Sequence, residues 1–181
     1  MDLDALINKL NNKGVIAQGL TEDEIATIEC TFDFVFPQDF RQFLKIATFT
    51  GSAAVNWHDM KDIKSRMDWP WEGMAFDIEN NGFWLEAWGP KPEVLSDQLR
   101  IAKEHYDQAP KLIPIFSHRY IPATPSEIGN PIFSVYQTDI IYYGYDLLSY
   151  IECEFDFRRY DSLFTDNHPF KKIDFWSELA K

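Results

Sequence analysis

The stretch Ile132–Gly144, IFSVYQTDIIYYG, runs directly into YDLLSYIECEF, residues 145–155, so a β-type pattern is followed at once by a helical one. The first part reads as two strands joined near Gln137 to Asp139, rich in β-branched and aromatic residues, with no glycine in the turn to fix its register. Asp146 then stands at a helix cap, and Leu147, Leu148, Ile151 and Phe155 share one side of the helix it starts.

Working outward, LIPIF (Leu112–Phe116) reads as another strand, and HRYIPATPSEIGNP (His118–Pro131) as a proline-broken loop. Before it, Leu95, Leu99, Ala102 and Tyr106 mark one face of what reads as the longest helix, ended by Pro110. In MAFDIENNGFWLEAWG (Met74–Gly89), Asn81-Gly82 reads as a tight hairpin turn between two apolar runs. The segment WHDMKDIKSRMDWPWEGM (Trp57–Met74) reads as a short helix and an irregular turn around Pro70.

Three helices are expected near the amino terminus. Leu3–Lys13 has an apolar face of Leu3, Leu6, Ile7 and Leu10 with Gly14 as its stop. Thr21 and Glu24 form a capping box, with Leu20 and Ile25 as its staple, for a helix from about Glu22 to Thr31. In FPQDFRQFL (Phe36–Leu44), Pro37 takes the first helical position, and Phe40, Phe43, Leu44 and Ala47 make a stripe ending near Thr50 and Gly51. At the other end, Asp174 is expected to cap a last short helix whose Phe175, Trp176 and Leu179 dock on the body. The order of helices, strands, helix, strands and helices predicts one α+β domain over 1–181, with a mostly antiparallel sheet packed with helices.

The 29 acids against 17 bases leave a net charge of -12, which repels phosphate and disfavours nucleic-acid binding while favouring encounter with a basic protein. No window is apolar enough to cross a bilayer, and MDLDALINKLNNKGV lacks the basic flank and apolar run of a signal peptide, so a cytoplasmic protein without membrane attachment is expected. Cys30 and Cys153 lie far apart without metal-type spacing, and read as two buried reduced thiols.

The ordered set LTEDEIATIE, FPQDFRQFL, IENNGFWL, HRYIP and TDIIYYG resembles the SUKH superfamily, which includes the fungal Smi and Knr cell-wall regulators and many bacterial immunity proteins. The likeness spans Leu20 to Phe155 and leaves 156–181 as a carboxy-terminal extension. Glu29 matches the acid that ends the family's first helix, and Pro37 the proline that introduces its second. One departure is IATFTGSAAV (Ile46–Val55), where the family commonly has an Asn-Gly pair. The resemblance implies a non-enzymatic binding protein, since bacterial members typically neutralise a toxin, often a nuclease, by direct binding. No catalytic triad comes with the family.

His58, His105 and His168 have ordinary structural readings and no metal-pair spacing, and Glu152 and Glu154 stand two apart and do not share a helical face. His118, Arg119 and Tyr120 place an imidazole, a guanidinium and a phenol after an apolar strand. They read either as a recognition surface at the end of the sheet or as groups satisfying buried polar atoms. Trp84 and Trp88 alternate with Phe83, Leu85 and Ala87 if FWLEAW is a strand, and then either line a groove shared with Tyr142 or Tyr143 or are covered by helices on both sheet faces. Such a groove could also take a sugar.

The expectation is therefore an immunity protein binding a basic toxin domain, with Trp84, Trp88, His118, Arg119, Tyr120, Tyr142 and Tyr143 as candidate contacts. No catalytic residue, metal or cofactor is assigned. The alternatives are a regulatory or scaffold protein binding a host protein, and a small hydrolase built around His118.

Overall fold

In the computed structural model, which describes residues 2–165 and 169–180 apart from the side chains of 163–165, each amino-terminal helix is set by its cap. Asp2 accepts a 2.8 Å hydrogen bond from the Ala5 amide, and Gly14 takes φ 71 to end α1 (Leu3–Lys13). The Thr21–Glu24 capping box is formed at the start of α2 (Glu22–Phe32), with Leu20 and Ile25 both buried. Pro37 caps α3 (Gln38–Ile46) from outside rather than occupying its first turn. The helix also stops earlier than the apolar stripe implied. Ala47 is extended, at φ -152 and ψ 155, and β2 (Ala47–Phe49) pairs antiparallel with β1 (Ile16–Gln18). Pairing to β1 satisfies backbone groups that a further helical turn would otherwise use.

The central region departs most from the sequence reading. Met60–Asn80 is one continuous helix of 21 residues, α4, with Pro70 inside it. It is longer than α5 (Leu95–Gln108), which has 14 residues. A proline lacks the amide that would reach back to the carbonyl four residues earlier. Here that carbonyl, of Arg66, accepts a 2.9 Å hydrogen bond from the Tyr120 hydroxyl instead. The orphan acceptor therefore has a partner, and the helix continues. Asn81-Gly82 does not turn a hairpin: Asn81 caps α4, its amide donating to Asp77, and Gly82 follows at φ 71. The strand expected through FWLEAW is irregular chain with one short 3-10 turn, Glu86–Trp88.

The main sheet is a meander, β3 (Leu112–Phe116), β4 (Arg119–Pro122), β5 (Ile132–Tyr136) and β6 (Asp139–Gly144), with every neighbouring pair antiparallel. Arg119–Pro122 is thus a strand, not part of a loop, because each residue from Arg119 to Ile121 finds partners on β3 or β5, or both. The turn between β5 and β6 forms without glycine by placing Gln137 at φ 56. Both outer edges are partly covered. Ala54 bridges to Phe116 on the β3 side, and Ala180 to Ile140 on the β6 side.

Alternation along these strands divides the interior in two. Ile113, Ile115, Ile121 and Ile132 face a core built with α1, α2, α3 and α6 (Leu147–Glu154), the last capped by Asp146. Leu112, Tyr120, Phe133, Val135 and Ile140 face a second core with Met74, Ile78, Ala102 and α7 (Trp176–Leu179). Helices therefore cover both faces of the sheet. Phe175, at φ 68, precedes the first residue of α7, so Asp174 is not its cap. Trp176 and Leu179 are nevertheless buried as expected, and the Trp176 indole donates to the Pro110 carbonyl at 2.6 Å. Cys153 is buried, but Cys30 is exposed, since Ile25 and Ile28 take the inner face of α2. Among the described residues no helix is long and apolar enough to cross a membrane.

Candidate functional site

A cavity of about 530 Å³ opens where α4 passes the β3–β4 turn and the end of β5. Three local devices shape it. The β3–β4 turn is made by Ser117, at φ 51, whose amide donates to the Ala53 carbonyl at 2.7 Å. Arg66 reaches from α4 to the same segment, donating to the Ala53 and Ala54 carbonyls and, through Nε, to Asp62 Oδ2 at 2.9 Å. Below them the Tyr120 hydroxyl holds the Arg66 carbonyl. The floor is thus rigid and polar, with its one guanidinium already committed.

Two aromatic rings stand at the mouth. Trp69 of α4 is 48% exposed and Tyr136 at the end of β5 is 58% exposed, unusual for residues of that size. Asp62, Arg66, Trp69, Gly73 and Phe76 follow the alternating four- and three-residue spacing of one helical face, and Phe76 is also exposed. Gly73 permits the close approach of this face to the β5–β6 turn: a Cβ there would lie 2.8 Å from Gln137 Cα. Asp77 then fastens the same turn, accepting from the Thr138 amide at 2.9 Å and from its hydroxyl at 2.5 Å.

His118 and Tyr120 line this cavity, while the other five candidates go elsewhere, and the Tyr120 hydroxyl satisfies a buried carbonyl, the second of the two readings of this stretch. Tyr120 is itself nearly inaccessible, with burial raising the pKa of its hydroxyl, and serves as a floor. Arg119 points through the opposite sheet face. It stacks over Tyr143 at 3.7 Å, donates to Ser134 Oγ at 2.9 Å and lies 3.4 Å from Glu154 Oε2, a close ion pair without hydrogen-bond geometry. Burial pushes the Glu154 carboxyl up against the pull of Arg119.

Tyr142 and Tyr143, as neighbours on β6, face opposite cores. Tyr142 packs on Phe133 and Phe170 and donates to Ser177 Oγ at 2.7 Å. Trp88 is buried against Trp84, Phe83 and His105, and the Trp84 indole donates to the Gly89 carbonyl. Trp84, Trp88, Tyr142 and Tyr143 therefore do not form the shared groove that was one of the two readings; as in the other, helices cover both faces of the sheet. The alternation itself is absent, because their segment is not a strand.

The Ser117 hydroxyl lies 3.0 Å from His118 Nδ1, but these residues are consecutive and the contact belongs to the turn. Asp62, the carboxylate that also lines the cavity, is engaged by Arg66 and by the Asn56 amide. Burial, helped by the Arg119 charge, lowers the His118 pKa and favours the neutral imidazole. His58 lies on the surface 3.2 Å from Glu24, and His168 lies outside the described residues. Among the described residues no group of three or more His, Cys, Asp or Glu side chains is placed to hold a metal ion.

Trp69 and Tyr136 are the residues that sequence reading passed over. The signal was the helical spacing from Asp62 to Phe76, hidden by ending the helix at Pro70. Comparison with known proteins returned no matching family model, no similar curated protein and no similar solved structure.

Proposed function

We propose that this protein works by binding rather than by catalysis, and that it neutralises a basic protein toxin in the manner of an immunity protein. The observation that supports this reading is the character of the α4 surface. Beyond Arg66 the helix carries no base; Asp68 is paired with Lys64 and Asp77 is buried, and the exposed positions include Glu72 and Glu79 together with Trp69 and Phe76. Large aromatic residues left in water beside the exposed carboxylates of Glu72 and Glu79 suit a partner that brings positive charge and buries the rings. The net charge of -12 acts in the same direction over a longer range. The likeness of the ordered motifs to SUKH proteins is a second support. Action inside the cytoplasm, before the toxin reaches its target, completes the reading.

The test is co-expression with a basic toxin encoded beside this gene. Growth should be rescued and the two proteins should co-purify; neither rescue nor complex would overturn the reading. The association rate should fall several-fold between low and high salt, because exposed charges are screened over about 10 Å at 0.1 M ionic strength. A rate indifferent to salt would remove the electrostatic part.

A further inference from the structure

The cavity beneath Trp69 and Tyr136 has a composition that narrows what could enter it. Its lining combines those two rings with His118 and Tyr120, and includes the polar residues Ser52, Ser65 and Ser117, the last with its hydroxyl 3.0 Å from His118 Nδ1. The neighbouring positive charge of Arg66 is offset by Asp62 at 2.9 Å and spread over two carbonyls, so it offers no free cation to an anionic ligand. Each mouth ring has an exposed carboxylate beside it. Glu72 lies three residues from Trp69 on α4, and Asp139 is the cross-strand partner of Tyr136.

From this geometry we propose that the cavity receives an arginine side chain from the basic partner, its guanidinium laid against the Trp69 and Tyr136 rings. The carboxylates of Glu72 and Asp139 supply the opposing charge at the rim. The proposal rests on the reading of the partner as a basic protein and identifies the place where one of its residues is anchored. A planar guanidinium fits better than an ammonium, because it stacks on aromatic faces, sheds water more readily and presents several donors to hydroxyls in the plane of the group. Neutral His118 adds no repulsion from the wall. A floor already locked by the Tyr120 and Arg66 hydrogen bonds needs little reorganisation when the side chain enters.

The experiment is a titration of the full-length protein, followed by NMR at the Trp69 indole and Tyr136 ring, with the capped tripeptide Gly-Arg-Gly. The same peptide with lysine, and with citrulline as the uncharged isostere, provides the comparison. The arginine peptide should move both signals, lysine should bind more weakly, and citrulline should leave them in place. Trp69→Ala and Tyr136→Ala should each weaken binding roughly three- to tenfold, while Phe76→Ala, exposed on the same helix outside the cavity, should have no effect. All three residues are exposed, so the variants should keep the wild-type melting temperature.

Equal shifts with citrulline, no shift with arginine, or an equal loss in Phe76→Ala would overturn the proposal. If the toxin is neutralised as well by Trp69→Ala and Tyr136→Ala as by wild type, this anchor is wrong and the immunity reading stands. If the arginine peptide binds but no basic toxin is neutralised, the reverse holds.

Discussion

Tyr120 and Pro70 are far apart in sequence, yet each explains the other. Pro70 leaves the Arg66 carbonyl without its helical donor, and the Tyr120 hydroxyl supplies one at 2.9 Å. Tyr120→Phe should therefore cost about 1–2 kcal/mol, the penalty of an unsatisfied buried acceptor. In a Pro70→Ala background the restored amide should take the carbonyl and much of that penalty should vanish. Denaturant unfolding of the four proteins gives the cycle, and an equal cost in both backgrounds would contradict the account. Asp77 offers a pH test of the same kind. Burial raises the pKa of its carboxyl, but the Thr138 and Asn81 hydrogen bonds outweigh that and hold it below the ordinary range. A carboxylate with a depressed folded-state pKa contributes stability above its unfolded value, about 3.9, and loses it as pH falls through the folded value. Asp77→Asn should thus be less stable by about 2 kcal/mol near neutrality. The gap should narrow as pH falls below the unfolded value and through the depressed folded one, and a gap independent of pH would contradict the assignment.

At the level of elements, the contact between α4 and the β5–β6 turn carries the site, and Gly73 makes it possible. Alanine normally favours a helix over glycine by about 1 kcal/mol. Here its Cβ would meet the Gln137 backbone at 2.8 Å, so Gly73→Ala should lower the melting temperature despite that preference and blunt peptide binding at Trp69. A higher melting temperature would show that the turn yields easily. The same element marks where local reading succeeds and fails. Capped helices such as α1, α2 and α6 were legible because their start and stop signals lie within a few residues of one another. So was the β5–β6 pair. The helix α4 was not, since Pro70 breaks a helix on local rules and the hydroxyl that compensates arrives from a strand 50 residues on. Asn81-Gly82 was ambiguous for a related reason: positive φ at a glycine serves a hairpin or a helix end equally well. Of the candidate site, His118 and Tyr120 could be placed near the sheet end from sequence. Trp69 and Tyr136 needed the tertiary approach that Gly73 allows.

Across the whole molecule, residues near the carboxy terminus are built into the second core. Trp176, 1% exposed, closes it against Tyr106 and Phe175. Trp176→Ala should destabilise by about 3–5 kcal/mol, as expected for removing a buried large aromatic, with the loss read by chemical denaturation. A change below about 1 kcal/mol would mean that this end only rests on the body. The bridges at Phe116 and Ile140 have a different consequence. An extended peptide can recruit a sheet only by continuing its ladder, and a fibril can grow only from an edge that offers one. On one side Ala54 occupies the end of β3 and Pro114 removes a donor from its middle; on the other, Ala180 lies along β6. Neither side presents an uninterrupted template, so visitors must be selected by the shape and charge of side chains, and chance copies of this chain have little backbone to join.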